Sequence, residues 1–255
     1  MRDALAALRS LATYVAVGAY VLLAGPPVLL IALVTRRAGL LYRAGLIGVR
    51  LGLWLSGIRY RVEGAGHIQH ARAAVYAVNH TSNVEPPILF AALRDLFPRL
   101  RILYKAELRK LPVLVRAFDL AGFVPLERGN PEQSLPAIDR AADALRAGHS
   151  FLIFPEGTRS RTGALLPFKK GGFIMALKAQ APIVPVAIAG AREAMRKGSV
   201  IIRPVLVTVR IGSPVETSGL SMEDRDAVVT RVRGAVASML ETACGTSGPR
   251  HVVSP

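Results

Sequence analysis

The chain carries one stretch in which a short apolar run ends directly in a polar turn, from Ala73 to Pro87, with the sequence AAVYAVNHTSNVEPP. The run Ala73–Val78 has the length and continuity of a strand that is buried on both faces. The two prolines that close the stretch open a new apolar segment, and proline is tolerated in the first turn of a helix. The stretch therefore predicts a strand, a turn that contains His80, and a helix, which is the local order of an α/β sheet.

The same turn places a histidine and an acid close enough to act together. His80 is expected at the carboxyl end of the strand, where reactive side chains of α/β sheets commonly lie. Glu85, in the first turn of the helix, can bind one ring nitrogen, fix the tautomer and stabilise the imidazolium. Since no serine, cysteine or threonine is placed as an obvious nucleophile, the pattern indicates that His80 deprotonates a substrate hydroxyl directly. The alternative for a single His–Glu pair is a histidine that only caps a helix or bonds a turn.

Composition and charge narrow the classes of partner. The 255 residues carry a net charge of +16, and 51% of them are hydrophobic. The pI is near 11.1 and the mean hydropathy of +0.37 is high for a soluble protein. This excess of positive charge indicates a polyanionic partner, either nucleic acid or an anionic membrane surface. Because aromatics are only 6% and the basic residues are scattered, nucleic-acid binding is disfavoured. The single Cys244 excludes an internal disulfide framework and a cysteine metal site.

The N-terminal region reads as a membrane segment. Residues 10–35 contain no charged side chain and are mostly Leu, Val and Ala. A bilayer core needs about 20 apolar residues, so this run is long enough to cross it. The sequence Gly25-Pro26-Pro27 interrupts the run and leaves two readings, one kinked spanning helix or two shorter helices in a re-entrant hairpin. A cleaved signal peptide is disfavoured, because the run is too long and lacks a small-residue cleavage site.

A basic, amphipathic segment follows. If the apolar run spans the membrane, the arginines between positions 36 and 50 place the rest of the chain on the cytoplasmic side by the positive-inside bias. Residues 40–58 alternate apolar side chains with arginines, as a helix at an anionic membrane interface does. A core helix that covers the catalytic domain is the alternative. We therefore expect association with the cytoplasmic face of the cell membrane.

The domain organisation predicted from these features has three parts. Residues 1–57 form membrane-associated helices, and residues 58–245 form the catalytic domain. Residues 246–255, rich in Gly, Ser and Pro, form a flexible tail.

Beyond residue 58, strand patterns alternate with helix patterns. This alternation predicts a mostly parallel central sheet flanked by helices. Strands are predicted over 58–62, 73–78, 101–105, 122–126, 151–154, 183–188, 201–202 and 205–211, and helices after Pro86 and over 108–118, 131–147, 173–180 and 222–242.

A second polar turn follows a later buried strand. The sequence from Phe154 to Ser160, FPEGTRS, combines an acid that can accept hydrogen bonds from hydroxyls with an arginine that can clamp a phosphate. Lys105 and Arg128 follow other strands, and Lys169–Gly172 precedes a helix, where backbone N–H groups bind anions. Each cation alone is more often a solvated surface charge. Their shared position at strand ends, beside the His–Glu pair, predicts a phosphate pocket.

Four motifs, in order, carry a resemblance to a known family. They are NHTSNVE from Asn79, YKAEL from Tyr104 leading to GFVPLER from Gly122, FPEGTRS from Phe154, and VPVAI from Val184. With these motifs, the segment from Ile58 to Ile211 resembles the glycerolipid acyltransferases, above all the 1-acylglycerol-3-phosphate O-acyltransferases.

The resemblance implies an activity and a set of roles. His80 would be the general base on the free hydroxyl of a lysolipid, which attacks the thioester of acyl-CoA or acyl-carrier protein without a covalent acyl-enzyme. From lysophosphatidic acid the product would be phosphatidic acid. No cofactor or metal is implied beyond the acyl donor. The residues implied to hold the glycerol phosphate are Arg128, Glu156, Gly157, Thr158 and Arg159, with Lys105 as a weaker candidate.

One position departs from the family's pattern. The usual box is H-x-x-x-x-D, and here the acid is Glu85. The longer side chain keeps the charge and the accepting oxygens, so we interpret the site as active. The acceptor stays open, and another lysolipid or hydroxylated amphiphile is the alternative substrate. A non-catalytic membrane-binding protein with the same fold is the alternative from another class.

Overall fold

The computed structural model of the chain describes residues 2–127, 131–242 and 252–253. Two apolar helices precede an α/β domain. The helices are α1 (Arg2–Thr35), α2 (Ala38–Ser56), α3 (Glu85–Ala92), α4 (Pro112–Leu120), α5 (Pro131–Arg146), α6 (Gly171–Ala179), α7 (Ala191–Ala194) and α8 (Arg225–Thr242). The strands are β1 (Arg59–Glu63), β2 (Val75–Val78), β3 (Leu100–Lys105), β4 (Val124–Leu126), β5 (Ser150–Ile153), β6 (Ile183–Ala189), β7 (Leu206–Ile211) and β8 (Val252–Val253).

The strands form one sheet in the order β4-β3-β5-β2-β6-β7-β1-β8. The five strands from β4 to β6 are parallel, β7 is antiparallel to β6, and β1 is parallel to β7. The predicted mostly parallel sheet flanked by helices is confirmed. The carboxyl ends of β4, β3, β5, β2 and β6 therefore meet at one edge, where the polar turns of the sequence follow their strands.

One predicted strand is wrong. Residues 201–202 are irregular, because side chains bind their backbone in place of a neighbouring strand. The Ile202 N–H donates to the Ser10 hydroxyl at 2.7 Å, and the Ile201 N–H donates to the Ser199 hydroxyl at 3.0 Å.

The central strand β2 is buried along its whole length, as its continuous apolar sequence predicts. Tyr76 and Val78 point into a core shared with α2 and α3, whereas Val75 and Ala77 point into a second core under α5, α6 and α8. A strand that is packed on both faces and paired on both edges has little freedom to move. It fixes the position at which the chain leaves the sheet for the turn that contains His80.

Helix α1 is continuous through Gly25-Pro26-Pro27, so the alternative of a break into two helices there is not observed. It packs against α2, where Gly48 lets the Tyr20 ring approach and the Tyr20 hydroxyl donates to the Ala44 carbonyl at 2.8 Å. Both helices are long and apolar enough to cross a membrane, by length and composition alone. Leu22 and Leu23 of α1 are 75% and 78% exposed, and exposed apolar surface of this kind is typical of membrane association.

Helix α2 joins α1 to the α/β domain. Leu53 is buried in the sheet core, and the Tyr42 hydroxyl donates to the backbone carbonyl of Leu100 in β3. On the other side of the helix, Ile47 and Trp54 are largely exposed. The two interpretations of this segment each describe one face of α2, a core helix on one side and an interfacial helix on the other.

The predicted tail over 246–255 lies outside the described residues except for β8. Val252 and Val253 pair antiparallel with Arg61 and Tyr60 at the β1 edge of the sheet.

Candidate active site

The exit of β2 is fixed by an asparagine. The Asn79 side chain donates from Nδ2 to the Ile188 carbonyl at 3.0 Å and accepts from the Ile188 N–H at 2.7 Å. These two bonds tie the turn to β6, the neighbour of β2. The turn then leads into α3, which begins at Glu85 with two prolines in its first turn, as the sequence predicts.

The structure brings His80 and Glu85 into contact. His80 Nδ1 lies 2.6 Å from Glu85 Oε2, and the Glu85 side chain is fully buried. Oε1 of Glu85 accepts from the Thr81 N–H at 2.8 Å, the Thr81 hydroxyl at 2.6 Å and the Ser82 N–H at 3.0 Å. The Glu85 side chain thus accepts from four donors, and its contact with Nδ1 orients the ring with its proton on that nitrogen. The other nitrogen, Nε2, is then free to accept a proton.

The His80 ring is held on its face as well as at its edge. It stacks on the Phe154 ring with centroids 4.1 Å apart, and its side chain is 17% exposed. Phe154 directly follows β5, the other neighbour of β2. The imidazole thus has a fixed orientation and reaches solvent with the part that is left uncovered.

The Glu156 side chain accepts hydrogen bonds from two backbone N–H groups and does not face an open pocket. Its Oε1 accepts from the His80 N–H at 2.6 Å and its Oε2 from the Leu166 N–H at 3.0 Å. Burial raises the pKa of this carboxyl, and the two N–H groups oppose that shift. Glu156 is buried and each of its oxygens holds one backbone N–H, so these contacts indicate a structural role. The acceptor contact that the resemblance implies stays a prediction.

The turn after Glu156 lies against the His80 turn. Gly157 has a positive φ of 68°, and a Cβ there would lie within about 3 Å of the Lys169 side chain, so glycine is required. The Ser160 N–H donates to the His80 carbonyl at 2.8 Å. Between these residues lie Thr158, which is exposed, and Arg159, which is half-buried. The Arg159 guanidinium makes no hydrogen bond or ion pair with any residue that the structure describes.

The other predicted cations are placed differently. Lys105 is exposed at the end of β3, two strands from β2 and so about 10 Å across the sheet. Its ammonium group pairs with Glu107 at 2.7 Å. Arg128 lies outside the described residues. Lys170 pairs with Asp226 at 2.9 Å, on the side of α8.

Three contributors to the site were not predicted from the sequence. Thr81 and Ser82 serve as donors to the Glu85 carboxylate, and short hydroxyl residues just before a helix acid are a recognisable signal for that role. Lys197 bonds to the Thr158–Arg159 turn from a distant segment. No local sequence signal marks that contact, since it depends on how the β6–β7 connection folds back.

Comparison with known proteins identifies the class. The Acyltransferase family profile matches residues 59–189, just over half of the chain, and covers both polar turns. The chain belongs to the Acyltransferase family.

Within that family, the similarity is to one kind of enzyme. The chain is 34% identical over 184 residues to a 1-acyl-sn-glycerol-3-phosphate acyltransferase of Limnanthes douglasii, a match that spans 71% of this chain and 63% of the relative. It is 31% identical over 205 residues to the human 1-acyl-sn-glycerol-3-phosphate acyltransferase alpha, spanning 79% of this chain and 71% of the relative. A third relative is the 1-acyl-sn-glycerol-3-phosphate acyltransferase of Cocos nucifera, of which the match spans 57%. The chain thus spans less than two thirds of the length of these two plant relatives.

A solved structure shares the whole architecture. The crystal structure of the 1-acyl-sn-glycerophosphate (LPA) acyltransferase, PlsC, from Thermotoga maritima superimposes with a TM-score of 0.80 at 26% identity. The superposition covers 98% of this chain and 100% of the other. The two N-terminal helices are therefore part of the shared fold.

Exchange of the buried acid tests the His80–Glu85 contact. In Glu85→Gln an amide replaces one accepting oxygen, which permits the ring proton of His80 to move to Nε2. Nε2 can then no longer accept the proton of the substrate hydroxyl. We expect kcat to fall by about 10³-fold or more, as for other His-orienting acids. Glu85→Asp keeps the charge and is expected to retain part of the activity. Acyl transfer from a labelled acyl thioester measures both, and near-normal turnover by Glu85→Gln would show that the contact is not catalytic.

A second exchange tests the structural role of Glu156. In Glu156→Gln an amide N–H faces a backbone N–H, which costs about 1–3 kcal/mol. We expect a lower midpoint of thermal unfolding, by about 2–4 °C per kcal/mol, and a lower kcat with an unchanged KM for the acceptor. Glu193→Gln, at an exposed position, is the matched control. A higher KM for the acceptor without a change in the unfolding midpoint would instead place Glu156 on the substrate.

Proposed function

We propose that this protein transfers a fatty acyl group from acyl-CoA or acyl-carrier protein to the free hydroxyl of 1-acylglycerol-3-phosphate, which yields phosphatidic acid. Family membership and the similarity to enzymes of that name support the proposal. The observation that carries it is local. His80, paired with a buried Glu85 at 2.6 Å, lies at the same sheet edge as Arg159, whose guanidinium has no partner among the residues that the structure describes.

The chemistry follows from the ring geometry. Nε2 of His80 takes the proton of the acceptor hydroxyl as its oxygen attacks the thioester carbonyl carbon, and Glu85 stabilises the imidazolium that forms. When the tetrahedral intermediate collapses, the C–S bond breaks and the imidazolium returns its proton to the leaving thiolate. The acyl group passes directly from sulfur to oxygen, so no covalent acyl-enzyme is required.

The acceptor's phosphate is assigned to the turn after β5. A guanidinium binds a phosphate through two parallel N–H···O bonds, and Arg159 has no partner among the described side chains to compete with that use. Gly157 and Thr158 line the same turn. Arg128 and Lys105 stay proposals for the same pocket, and Lys105 would first have to leave Glu107.

The N-terminal helices explain how such an enzyme reaches a lipid. The exposed apolar surface of α1 favours a membrane, and α2 is packed into the catalytic core, so the anchor holds the site at the lipid surface. The arginines between positions 36 and 50 favour the cytoplasmic face, where acyl thioesters are soluble.

The glutamate in place of the usual aspartate gives reason to test other acceptors. A different lysolipid or hydroxylated amphiphile is compatible with the same pair of residues. Lysophosphatidate, other lysophospholipids and monoacylglycerol, each supplied with both donors in detergent, would rank the acceptors by kcat/KM. We expect lysophosphatidate to rank first, and a phosphate-free acceptor ranking first would contradict the proposal.

Removal of the base tests the mechanism. His80→Ala leaves no proton acceptor at the reacting hydroxyl, and general-base catalysis is worth about 10²–10⁴-fold, so we expect kcat to fall by at least 10²-fold. His70→Ala, at an exposed histidine outside the site, is the control and should behave as the wild type. Full transfer activity in His80→Ala would refute the proposed mechanism.

Removal of the guanidinium tests the phosphate assignment. Arg159→Ala is expected to raise the KM for lysophosphatidate by about 10–100-fold, the loss of one charge-assisted bidentate contact, with a smaller effect on kcat. Acylation of monoacylglycerol should not change. Arg161→Ala, two residues along and exposed, is the matched control. An unaltered KM for lysophosphatidate in Arg159→Ala would exclude this residue from the phosphate site.

A further inference from the structure

The segment 190–205, which connects β6 to β7, contacts both turns of the candidate active site. The Ser82 hydroxyl donates to the Met195 carbonyl at 2.6 Å, which ties the segment to the His80 turn. Arg192 donates from Nε and Nη2 to the Arg161 carbonyl at 3.2 Å and 3.1 Å. The sequence motifs gave this connection no role, yet it borders the site from the side opposite β5.

The far end of the same segment is fixed to the first membrane helix. The Ile202 N–H donates to the buried Ser10 hydroxyl at 2.7 Å, and the Tyr14 hydroxyl donates to the Val200 carbonyl at 2.8 Å. The segment is therefore held at two places, on α1 and on the His80 turn, and the residues between these places have a defined position.

Lys197 lies between these two attachments and reaches the phosphate-binding turn. Its ammonium group donates to the Thr158 hydroxyl at 3.2 Å and to the Arg159 carbonyl at 2.9 Å. Neither acceptor is acidic, and no carboxylate among the described residues forms an ion pair with this lysine. The lysine is half-buried, so its side chain is constrained rather than free in solvent.

The turn that Lys197 holds needs such a constraint. It begins at Gly157, which has a positive φ and the largest backbone freedom of any residue type. An arginine on a free turn would lose conformational entropy each time it bound a phosphate, whereas a fixed turn has already lost it. A bond to the carbonyl of Arg159 itself fixes the base of that side chain and leaves the guanidinium available.

We propose that Lys197 is a positioning residue that holds the Thr158–Arg159 turn in the conformation that binds the acceptor's phosphate. The proposal rests on the proposed function, because it assigns Arg159 to that phosphate. Lys197 acts through Arg159. Because the segment that carries Lys197 is also bonded to α1, it fixes the position of the Thr158–Arg159 turn relative to that helix.

Truncation of the lysine gives the first test. Lys197→Met keeps the aliphatic length and removes the donors, and we expect the KM for lysophosphatidate to rise about tenfold while kcat stays within about twofold, since the base is untouched. Lys197→Arg restores donors and should recover most of the affinity. Arg196→Met, at an exposed neighbouring cation, is the matched control and should change neither constant. Thermal unfolding of each variant in detergent checks that the fold is retained.

A double-mutant cycle separates positioning from direct binding. If Lys197 acts through Arg159, then Lys197→Met adds less than about twofold to the KM when Arg159 is already alanine. A full tenfold increase in the Arg159→Ala background would overturn the proposal, because Lys197 would then bind the phosphate itself. An unchanged KM in Lys197→Met alone would also overturn it. Failure of the proposed function would be seen in different results. Activity would survive in His80→Ala, or acceptors without a phosphate would be used as well as lysophosphatidate.

Discussion

The buried carboxylate of Glu85 is the constraint on which the site depends. It is fully enclosed, and a charge in that position is tolerated only if hydrogen bonds replace its lost hydration. The Thr81 and Ser82 donors and the His80 ring supply those bonds. The turn between β2 and α3 is thus shaped around the side chain of Glu85. The orientation of the imidazole is a consequence of its hydrogen bond to that side chain.

The second buried acid of the site, Glu156, is also held by backbone N–H donors. Glu156 is buried beside the first turn and joins it, through the backbone of His80, to the loop at Leu166. A return bond from the Ser160 N–H to the His80 carbonyl closes the connection. The two polar turns are therefore one hydrogen-bonded unit built on the adjacent strands β2 and β5. The acceptor's hydroxyl and its phosphate would meet groups whose separation is fixed by the sheet.

The two N-terminal apolar helices are packed against this hydrogen-bonded unit rather than joined to it by a flexible linker. Leu53 of α2 lies in the sheet core, the buried Tyr42 binds the backbone of β3, and Ser10 and Tyr14 of α1 bind the segment that borders the candidate active site. A catalytic domain on a flexible linker would sample many heights above a bilayer. Here packing sets the position of the candidate site relative to α1 and α2, which would suit an acceptor that stays in the lipid phase.

The sequence by itself predicted most of the helices and strands and the contact between His80 and Glu85, because these follow from short-range patterns. A continuous apolar run specifies the buried strand β2, and His80 and Glu85 lie only five residues apart, so one turn brings them together. Only the tertiary structure decided that Glu156 binds backbone, that Gly25-Pro26-Pro27 does not break α1, and that Lys197 reaches Arg159. Each of these depends on which strands become neighbours and where a long connection returns. Residues 38 positions apart leave no periodic trace in the chain.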